Sequence, residues 1–319
     1  MIKTEFTRLV GCDVPIQQSP MGKGTSTPSL ASAVANAGGL GMLSLTGYSG
    51  EVIEKIVQDT YALTSKKVGA NFLLYQPIDI ETVKVAAGLL DVVDFFWGKP
   101  DKKLVDVAKK AGAITSWQVG SLEEALLAEE VGCDFITVQS IEAGGHVRGT
   151  IDIFALLDQV IGAVNIPVLA CGGVGSGESL AAVLAAGAAG VRCGTRFLAA
   201  YETEAHPDYV EALIHANATD TVYTDKFSIG WPDAPHRVLR SSLDAAMAFE
   251  GDYVGTSCDP ITGDIRNIPK YAAVELHKGI SGHIEAMPHW AGQTVECIKK
   301  RQSVSEIINE IIDDAQRAL

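Results

Sequence analysis

The 319-residue sequence has few basic residues. Its 25 Lys and Arg are set against 39 Asp and Glu, which gives a formal net charge of −14. A chain with this balance lacks the cations that neutralise a nucleic-acid backbone, so we expect no nucleic-acid partner. Charged residues make up only 20% of the chain and hydrophobic residues 47%, a composition that excludes an intrinsically disordered protein.

The sequence also lacks long hydrophobic runs and paired cysteines. Its most apolar stretch, residues 180–191, is short and mostly alanine, so we expect no membrane-spanning helix. Residues 1–8 show no basic region followed by an apolar one, the pattern of a secretory signal. No two of the six cysteines lie within four residues of each other, which excludes a C-x-x-C metal or redox pair. These absences predict a cytoplasmic protein without a membrane partner.

A repeated pattern is present in the first two thirds of the chain. A helical segment ends at a glycine and a short apolar run follows, as at residues 37–43, 111–114, 131–138 and 186–191. Glycine closes a helix because it adopts positive φ without a Cβ clash, and the apolar run is typical of a buried parallel strand. Repeated units of this kind predict an α/β protein with a parallel sheet.

The number of predicted strands is eight. They lie at residues 14–18, 40–43, 68–74, 92–97, 113–119, 135–139, 167–171 and 190–193. Helices are predicted between them, at residues 28–36, 50–60, 79–90, 101–111, 121–131, 152–164 and 178–186. An open doubly wound sheet also alternates in this way. Even spacing without a long mid-chain crossover favours a (β/α)8 TIM barrel.

The pattern changes after about residue 220. We predict a barrel domain over residues 1–219 and a smaller helical or irregular appendage over 220–289, which forms part of the barrel mouth. A C-terminal segment over 290–319 is predicted to pack back on the barrel. Its helix, residues 303–319, has one apolar face, and Ser303 and Glu306 can form a capping box at its start.

Two glycine-rich loops suggest a phosphate site. In a TIM barrel, function lies at the carboxyl ends of the strands, and the loops after the seventh and eighth strands often bind phosphate. Those loops contain Gly172-Gly173 and Gly194-Thr195, where the backbone N–H groups could approach phosphate oxygens. Ordinary tight turns are also rich in glycine, but two such loops on adjacent strands favour phosphate binding.

His146 is the best catalytic candidate. It follows two glycines in the loop after the sixth predicted strand. A histidine titrates near neutral pH and can abstract a proton. An isolated histidine is more often structural, but this position favours function. His283 and His289 do not fit a common zinc spacing, and we predict no metal site.

Several separated motifs resemble those of the nitronate monooxygenase family, formerly called 2-nitropropane dioxygenases, which includes flavin-dependent enoyl-reductase relatives. The segments that resemble the opening of the family are residues 18–21, 27–31 and 36–41. Residues 69–72 resemble its Asn-Phe element, and residues 142–146 its Ala-Gly-Gly-His signature. Further likeness is found at residues 167–173, 194–198, 227–230 and 234–237.

This resemblance implies a TIM barrel that binds FMN and no metal. By position, the residues implied near the isoalloxazine ring are Met21, Gly22 and Asn71. Those implied to hold the ring and the ribityl chain are Gln118, Gln139, Gly144 and Gly145. The phosphate would be held by Gly172, Gly173, Cys193, Gly194 and Thr195. His146 would be the catalytic base, or the cation that faces an anionic nitronate.

The implied reaction is oxidative denitrification of an alkyl nitronate with O2, which gives a carbonyl compound and nitrite. The partners implied are the nitronate, or a related small anion, and O2. One alternative is an NAD(P)H-dependent flavin reductase of enoyl thioesters or quinones, and another is a flavin-free barrel that binds a phosphate ligand. The sequence leaves open whether the protein is a homodimer.

Three parts of the chain depart from the family pattern, and one of them is the loop Gly175-Ser176-Gly177, which lacks an expected Asp. Lys23 follows Gly22 where a more apolar residue is expected, and would bring a charge near the flavin. Arg192-Cys193 replaces the more usual Gln-Met. Phosphate contacts made by backbone N–H groups would tolerate this change, and Arg192 would itself favour an anion.

Overall fold

The centre of the molecule is a sheet of parallel strands. The computed structural model describes residues 2–259 and 263–319. In chain order the first nine strands are β1 (Ile16–Gln18), β2 (Gly41–Ser44), β3 (Val68–Leu73), β4 (Val92–Phe96), β5 (Ile114–Val119), β6 (Phe135–Gln139), β7 (Gly145–His146), β8 (Val168–Cys171) and β9 (Gly190–Cys193). All of these except β7 form one parallel sheet in the order β1-β9-β8-β6-β5-β4-β3-β2.

The two ends of this sheet meet. Gln17 in β1 bridges Leu40, just before β2, and the N–H of Gln18 donates to the Leu40 carbonyl oxygen at 3.0 Å. The sheet therefore closes into a barrel of eight parallel strands, and the predicted TIM barrel is confirmed.

The described residues up to 198 form nine helices, and all but the first and the last of these connect strands around the outside of the barrel. They are α1 (Glu5–Val10), α2 (Pro28–Asn36), α3 (Gly50–Tyr61), α4 (Ile80–Leu89), α5 (Lys102–Lys110), α6 (Leu122–Glu130), α7 (Ile153–Val160), α8 (Gly177–Ala185) and α9 (Thr195–Leu198). Ser or Asp side chains cap α3 to α8 by accepting from a backbone N–H of the first turn, which fixes where each helix begins. Helix α7 ends four residues earlier than predicted, because Ile161 is already extended and Gly162 has a φ of +85°.

The amino end of the barrel is filled by α1. Phe6 of this helix packs edge-on against Phe135 at a centroid distance of 5.4 Å. Both side chains belong to a buried cluster with Leu40, Val92 and Leu169, which lie at or beside the starts of barrel strands. Because apolar side chains occupy this end, a ligand site in the barrel must lie at the opposite, carboxyl end.

The segment 220–289 differs from the sequence-based expectation. Beyond α10 (Pro207–Ile214), the structure has strands β10 (Thr221–Thr224) and β11 (His236–Leu239), helix α11 (Arg240–Ala248), and strands β12 (Tyr253–Cys258), β13 (Ile265–Pro269) and β14 (Ile280–Gly282). The expectation of a helical or irregular appendage was wrong, because five strands in this segment form antiparallel pairs. The strands are grouped as β10-β11-β7 and as β13-β12-β14.

The pairing of β7 with β11 joins the late segment to the barrel mouth. In this ladder His146 lies opposite His236, and Gly145 lies opposite Arg237. Short 3-10 helices occur at Ala218–Asp220, Ile284–Ala286 and Gln293–Cys297. The division of the chain at residues 219/220 and 289/290 stays a prediction.

The last helix, α12 (Val304–Ala318), packs against α8 and α2. Its predicted capping box is confirmed: the N–H of Ser303 donates to Glu306 Oε2 at 2.7 Å, and the N–H of Glu306 donates to Ser303 Oγ at 3.2 Å. Val304, Ile307, Ile308, Ile311 and Ile312 are buried, as the apolar face of the sequence predicts. Within the described residues, none of the helices combines the length and apolar character needed to cross a bilayer.

Candidate active site

A cavity of about 470 Å³ opens at the carboxyl end of the barrel. Its volume falls within the usual range for small-molecule sites. The sequence-predicted residues that line it are Met21, Gly22, Gln118, Gln139, Gly144, Gly145, His146, Gly172, Gly173, Gly194 and Thr195. The fold therefore brings together side chains and loops that are far apart in the sequence.

Asn71 and Cys193 are not among the described residues that line the cavity. Asn71 is buried, and its amide donates to Asp94 Oδ2 at 2.7 Å. The Cys193 thiol donates to the carbonyl oxygen of Val174 at 3.4 Å, and burial raises the pKa of this thiol far above its usual value. Cys193 thus contacts Val174, which lines the cavity, and Asn71 contacts Asp94, the partner of the cavity-lining Arg192.

The loop after β8 is shaped to receive an anion. Gly172 has a φ of +93°, and a Cβ there would lie 2.4 Å from Ser140 Oγ, so a side chain could not be accommodated. In the part of the chain that the structure describes, the N–H groups of Gly173 and Val174 donate to no acceptor. Consecutive unpaired N–H groups on backbone of this kind form an anion-binding concavity. The loop therefore fits a phosphate group.

The first turn of α8 is occupied by its own side chains. Ser179 Oγ accepts from the N–H groups of Gly175 and Ser176, both at 3.0 Å. The open N–H groups thus lie in the loop before α8. In the adjacent loop, Thr195 Oγ1 accepts from the N–H of Gly292 at 3.0 Å and fixes residue 292 beside the cavity.

His146 lies on β7, and its backbone is held by Gln139. The Gln139 side chain donates to the His146 carbonyl oxygen at 3.0 Å and accepts from the N–H of Arg148 at 2.7 Å. Both polar ends of Gln139 are therefore used to fix β7. The role of Gln139 in positioning His146 could not be inferred from the sequence alone.

Aromatic rings surround His146. Trp231 stacks on it at a centroid distance of 3.9 Å, while Trp290 and Trp97 lie 5.1 Å and 5.8 Å away. Three of the four tryptophans in the chain thus contact one histidine. Burial, with a smaller contribution from His236, lowers the pKa of His146 to about 3. His146 is therefore neutral at pH 7.

The neighbouring His236 differs from His146 in its hydrogen bonds. Its Nε2 accepts from the N–H of Phe227 at 3.2 Å, and its Nδ1 lies 2.9 Å from the carbonyl oxygen of Ala234. The His146 Nε2 atom is buried and has no partner among the described residues. His236 therefore serves the structure, whereas Nε2 of His146 remains available to a ligand.

The charge of Arg192 is matched inside the barrel. Its guanidinium contacts both carboxylate oxygens of Asp94, at 2.7 Å and 3.0 Å, and both side chains are fully buried. It also donates to Gln17 and Gln118 at 2.9 Å and 2.6 Å. Arg192 lines the cavity, but Asp94 neutralises its charge. Arg192 is therefore not an unpaired cation that could bind a phosphate.

Lys23 lies at the rim of the cavity, 3.9 Å from the centre of the Tyr48 ring. Burial lowers its pKa, while the charges of Glu275 and Asp259 act in the opposite direction. Glu275 lies so close to Gly22 that a Cβ at Gly22 would stand 2.1 Å from its Cγ. The Gly-Lys-Gly sequence at this point is thus packed against the late segment of the chain.

No metal site emerges from the described residues. None of their His, Cys, Asp and Glu side chains form a group of three or more that could hold a metal ion. His289 Nε2 lies 3.1 Å from the Ile284 carbonyl oxygen, and His283 Nδ1 lies 3.2 Å from Glu285. Each of these two histidines has a local protein partner.

Comparison with known proteins agrees with this geometry. The sequence profile described as "NMO: Nitronate monooxygenase" matches residues 3–91 and 79–314. A nitronate monooxygenase of Paraburkholderia phytofirmans is 30% identical, over 99% of this chain and 96% of the relative. A 5-hydroxy-7a-methyl-1-oxo-octahydro-1H-indene-4-carboxyl-CoA dehydrogenase of Rhodococcus jostii is 33% identical, over 86% and 74% of the two chains.

Among solved structures, FabK from Thermotoga maritima is similar over nearly its whole length. Its TM-score is 0.81 at 28% identity, with 99% of this chain and 97% of that chain covered. Nitronate monooxygenases and FabK are FMN-dependent oxidoreductases. Since the family profile spans nearly all of the sequence, the chain belongs to the nitronate monooxygenase family of FMN-dependent oxidoreductases.

Proposed function

We propose that this flavoenzyme oxidises alkyl nitronates with O2, releasing a carbonyl compound and nitrite. The observation that carries the proposal is the half-buried His146, whose buried Nε2 has no partner among the described residues and which lines the same cavity as the glycine loop after β8. The name of the Paraburkholderia relative supports this substrate class. The small anion and O2 are the proposed reaction partners.

The cavity offers a place for each part of FMN. Gly172, Gly173, Gly194 and Thr195 would hold its phosphate, through the loops after β8 and β9. The residues proposed to line the ring and the ribityl chain are Met21, Gly22, Gln118, Gly144 and Gly145. Asn71 and Cys193 would support these contacts from outside the cavity. When bound, FMN supplies the redox chemistry, accepting electrons from the substrate and delivering them to O2.

His146 would act on the carbon next to the nitro group. Its Nε2, which has no partner among the described residues, would accept a proton from that carbon in a nitroalkane and so generate the nitronate. For a substrate that arrives already as the nitronate, no proton has to be removed. His146 then orients the anion within the aromatic enclosure.

A second candidate is a reductase of enoyl thioesters that uses NAD(P)H. The observation in its favour is the likeness to the Rhodococcus carboxyl-CoA dehydrogenase, at 33% identity. The same cavity and the same flavin would serve this reaction. The two candidates differ in electron donor and in product, which makes them separable by assay.

The role of His146 can be tested with the FMN-loaded protein. His146→Asn should retain the flavin absorbance and should slow nitrite release from 1-nitropropane by about 10²–10⁴-fold, because proton abstraction from carbon loses its base. His215→Asn is the matched control, since His215 is exposed on the surface. Unchanged turnover by His146→Asn, with FMN still bound, would show that the histidine is structural.

A further inference from the structure

Two polar atoms in the cavity wall have no partner. Nε1 of Trp231 and Nε2 of His146 are both buried, and neither makes a hydrogen bond within residues 2–259 and 263–319. Both residues line the same cavity. Their rings stack at 3.9 Å, so the two atoms belong to one small region of the wall.

The unpaired indole of Trp231 contrasts with two other tryptophans. Nε1 of Trp290 donates to the Val274 carbonyl oxygen at 2.8 Å, and Nε1 of Trp117 donates to the Gly98 carbonyl oxygen at 3.1 Å. Trp231 is also buried, with 8% of its surface exposed, whereas Trp117 is fully buried and Trp290 is half-buried. Buried N–H donors are nearly always paired in folded proteins, so a buried donor that lines a cavity indicates a ligand acceptor.

The Trp231 ring is also held in place. Tyr75 stacks on it at 4.3 Å, while His146 stacks at 3.9 Å, both with interplanar angles of 21°. The N–H of Trp231 donates to the carbonyl oxygen of Ser228 at 3.0 Å, and the N–H of Ile229 donates to that of Tyr271 at 3.1 Å. The loop that carries Trp231 is thus tied to itself and to the late segment, and its indole is preorganised.

We propose that the Trp231 indole N–H donates a hydrogen bond to an oxygen of the substrate and thereby holds the reacting carbon beside Nε2 of His146. An indole N–H is a donor only, so the bound group must be an acceptor such as a nitro or nitronate oxygen. The surrounding rings exclude water and strengthen this bond. The inference rests on the proposed function, since it names the group that binds its substrate.

Trp231 is then a specificity-determining residue. The substrates it selects carry an oxygen on the atom bonded to the reacting carbon, as nitronates do. A thioester carbonyl presents the same acceptor chemistry. The test therefore includes one probe of each kind.

The test uses the FMN-loaded enzyme with ¹⁵N-labelled indoles. Butyrate is the first probe, because its carboxylate has the shape of a three-carbon nitronate, and crotonyl-CoA is the second. The Trp231 signal is identified as the indole signal that is missing from the spectrum of Trp231→Phe. In the wild type this signal should move downfield when a probe binds. The same variant should bind butyrate about 10- to 100-fold more weakly, the loss expected for one hydrogen bond to a charged group. It should also raise KM for propyl-2-nitronate more than it lowers kcat.

Trp97→Phe is the matched control. It removes an indole N–H at the edge of the same histidine, from a residue that is not among the described cavity-lining residues. Its effect on butyrate affinity should be much smaller than that of Trp231→Phe. Equal affinity of wild type and Trp231→Phe for both probes, or a Trp231 signal that moves with neither probe, overturns the proposal. If Trp231→Phe does not fold, the titration of the wild type is sufficient to test the proposal. A probe that binds without shifting any indole signal is incompatible with a hydrogen bond from Trp231.

The outcomes separate this inference from the proposed function. A Trp231 shift with a probe, together with no nitrite release from propyl-2-nitronate, supports the donor role and contradicts nitronate oxidation. Nitrite release without any Trp231 shift supports nitronate oxidation and overturns the donor role.

Discussion

At the scale of single residues, the site depends on positions that can be occupied by only one kind of side chain. Gly172 is such a position, because its φ of +93° and its distance to Ser140 both exclude a Cβ. His146 is another, because its environment determines its protonation state as well as its place. Gly172 shapes the loop proposed to bind the phosphate, and His146 is the proposed base.

The loop at Gly172 can be tested by adding one methyl group. Gly172→Ala should weaken FMN binding by about tenfold or more, because the loop must move away from Ser140 and Ala143 and its N–H groups move with it. The measurement is the dissociation constant of FMN for the apoprotein, followed by flavin fluorescence.

Gly162→Ala is the control for backbone strain. Gly162 has a similar φ of +85°, but a Cβ there would meet nothing within 4 Å. Gly162→Ala should have a lower free energy of unfolding than the wild type but the same affinity for FMN. If both variants bind FMN like the wild type, the loop at Gly172 does not hold the cofactor.

Residues near strand ends could be predicted from the sequence, because their signals are local. A glycine pair after an apolar run marks such a loop, and this was sufficient for Gly172, Gly173 and His146 to be placed in the cavity. Trp231 and Glu275 were missed because they reach the site by tertiary packing from a segment without a local signal. Family-like motifs flank Trp231 at residues 227–230 and 234–237, but they do not identify which residue of that segment lines the cavity.

At the scale of secondary-structure elements, the barrel was predictable and the late sheets were not. The barrel strands are buried, and most of them follow a helix that ends near a glycine, so the apolar periodicity and the turn residues predict the same elements. Strand β13 has exposed residues along most of its length, and β7 has only two residues. Such strands are stabilised by pairing with distant partners, which the local pattern does not report.

The pair of Asp94 and Arg192 shows how two strands cooperate inside the barrel. Strands β4 and β9 are not neighbours in the sheet, so the ion pair crosses the interior. Asp94 also accepts from Ser116 Oγ at 2.8 Å and from Asn71 at 2.7 Å. Arg192, which departs from the family pattern, is accommodated through this network.

Removal of one charge of the Asp94–Arg192 pair should destabilise the folded protein. Asp94→Asn should lower the free energy of unfolding by about 3–5 kcal/mol, because it leaves the Arg192 guanidinium buried without a counter-charge. Urea denaturation of the FMN-loaded protein gives the value.

A double variant and a surface control accompany this experiment. Asp94→Asn with Arg192→Gln should recover part of the loss, since the buried charge is then absent. Asp59→Asn removes the carboxylate of an exposed pair with Lys55 and should leave the stability unchanged within error. A single variant as stable as the wild type would contradict a stabilising role for the pair.

At the scale of the whole molecule, burial of histidines links stability to pH. Burial lowers the pKa of His146 to about 3 and that of His289 to about 4, against 6.5 for the free side chain. Between these values the unfolded chain binds protons that the folded protein excludes. The free energy of unfolding should therefore rise as the pH is raised from about 4 to about 7, and these histidines should add nothing further above that.

The contribution of His146 can be isolated by difference. Urea midpoints of wild type and His146→Asn are compared at several pH values in this window. The free energy of unfolding of His146→Asn should rise less with pH, because its unfolded chain has one histidine fewer to protonate. His215→Asn should show the same pH dependence as the wild type. Equal slopes for wild type and His146→Asn would show that His146 titrates normally in the folded protein.

The central claim concerns the reaction that the whole molecule catalyses. The most direct test measures nitrite and O2 together, with purified FMN-loaded protein, propyl-2-nitronate and no NAD(P)H. The account predicts that O2 is consumed while nitrite and acetone appear in equal amounts. Absence of nitrite, together with NADH-dependent consumption of crotonyl-CoA by the same preparation, would contradict it.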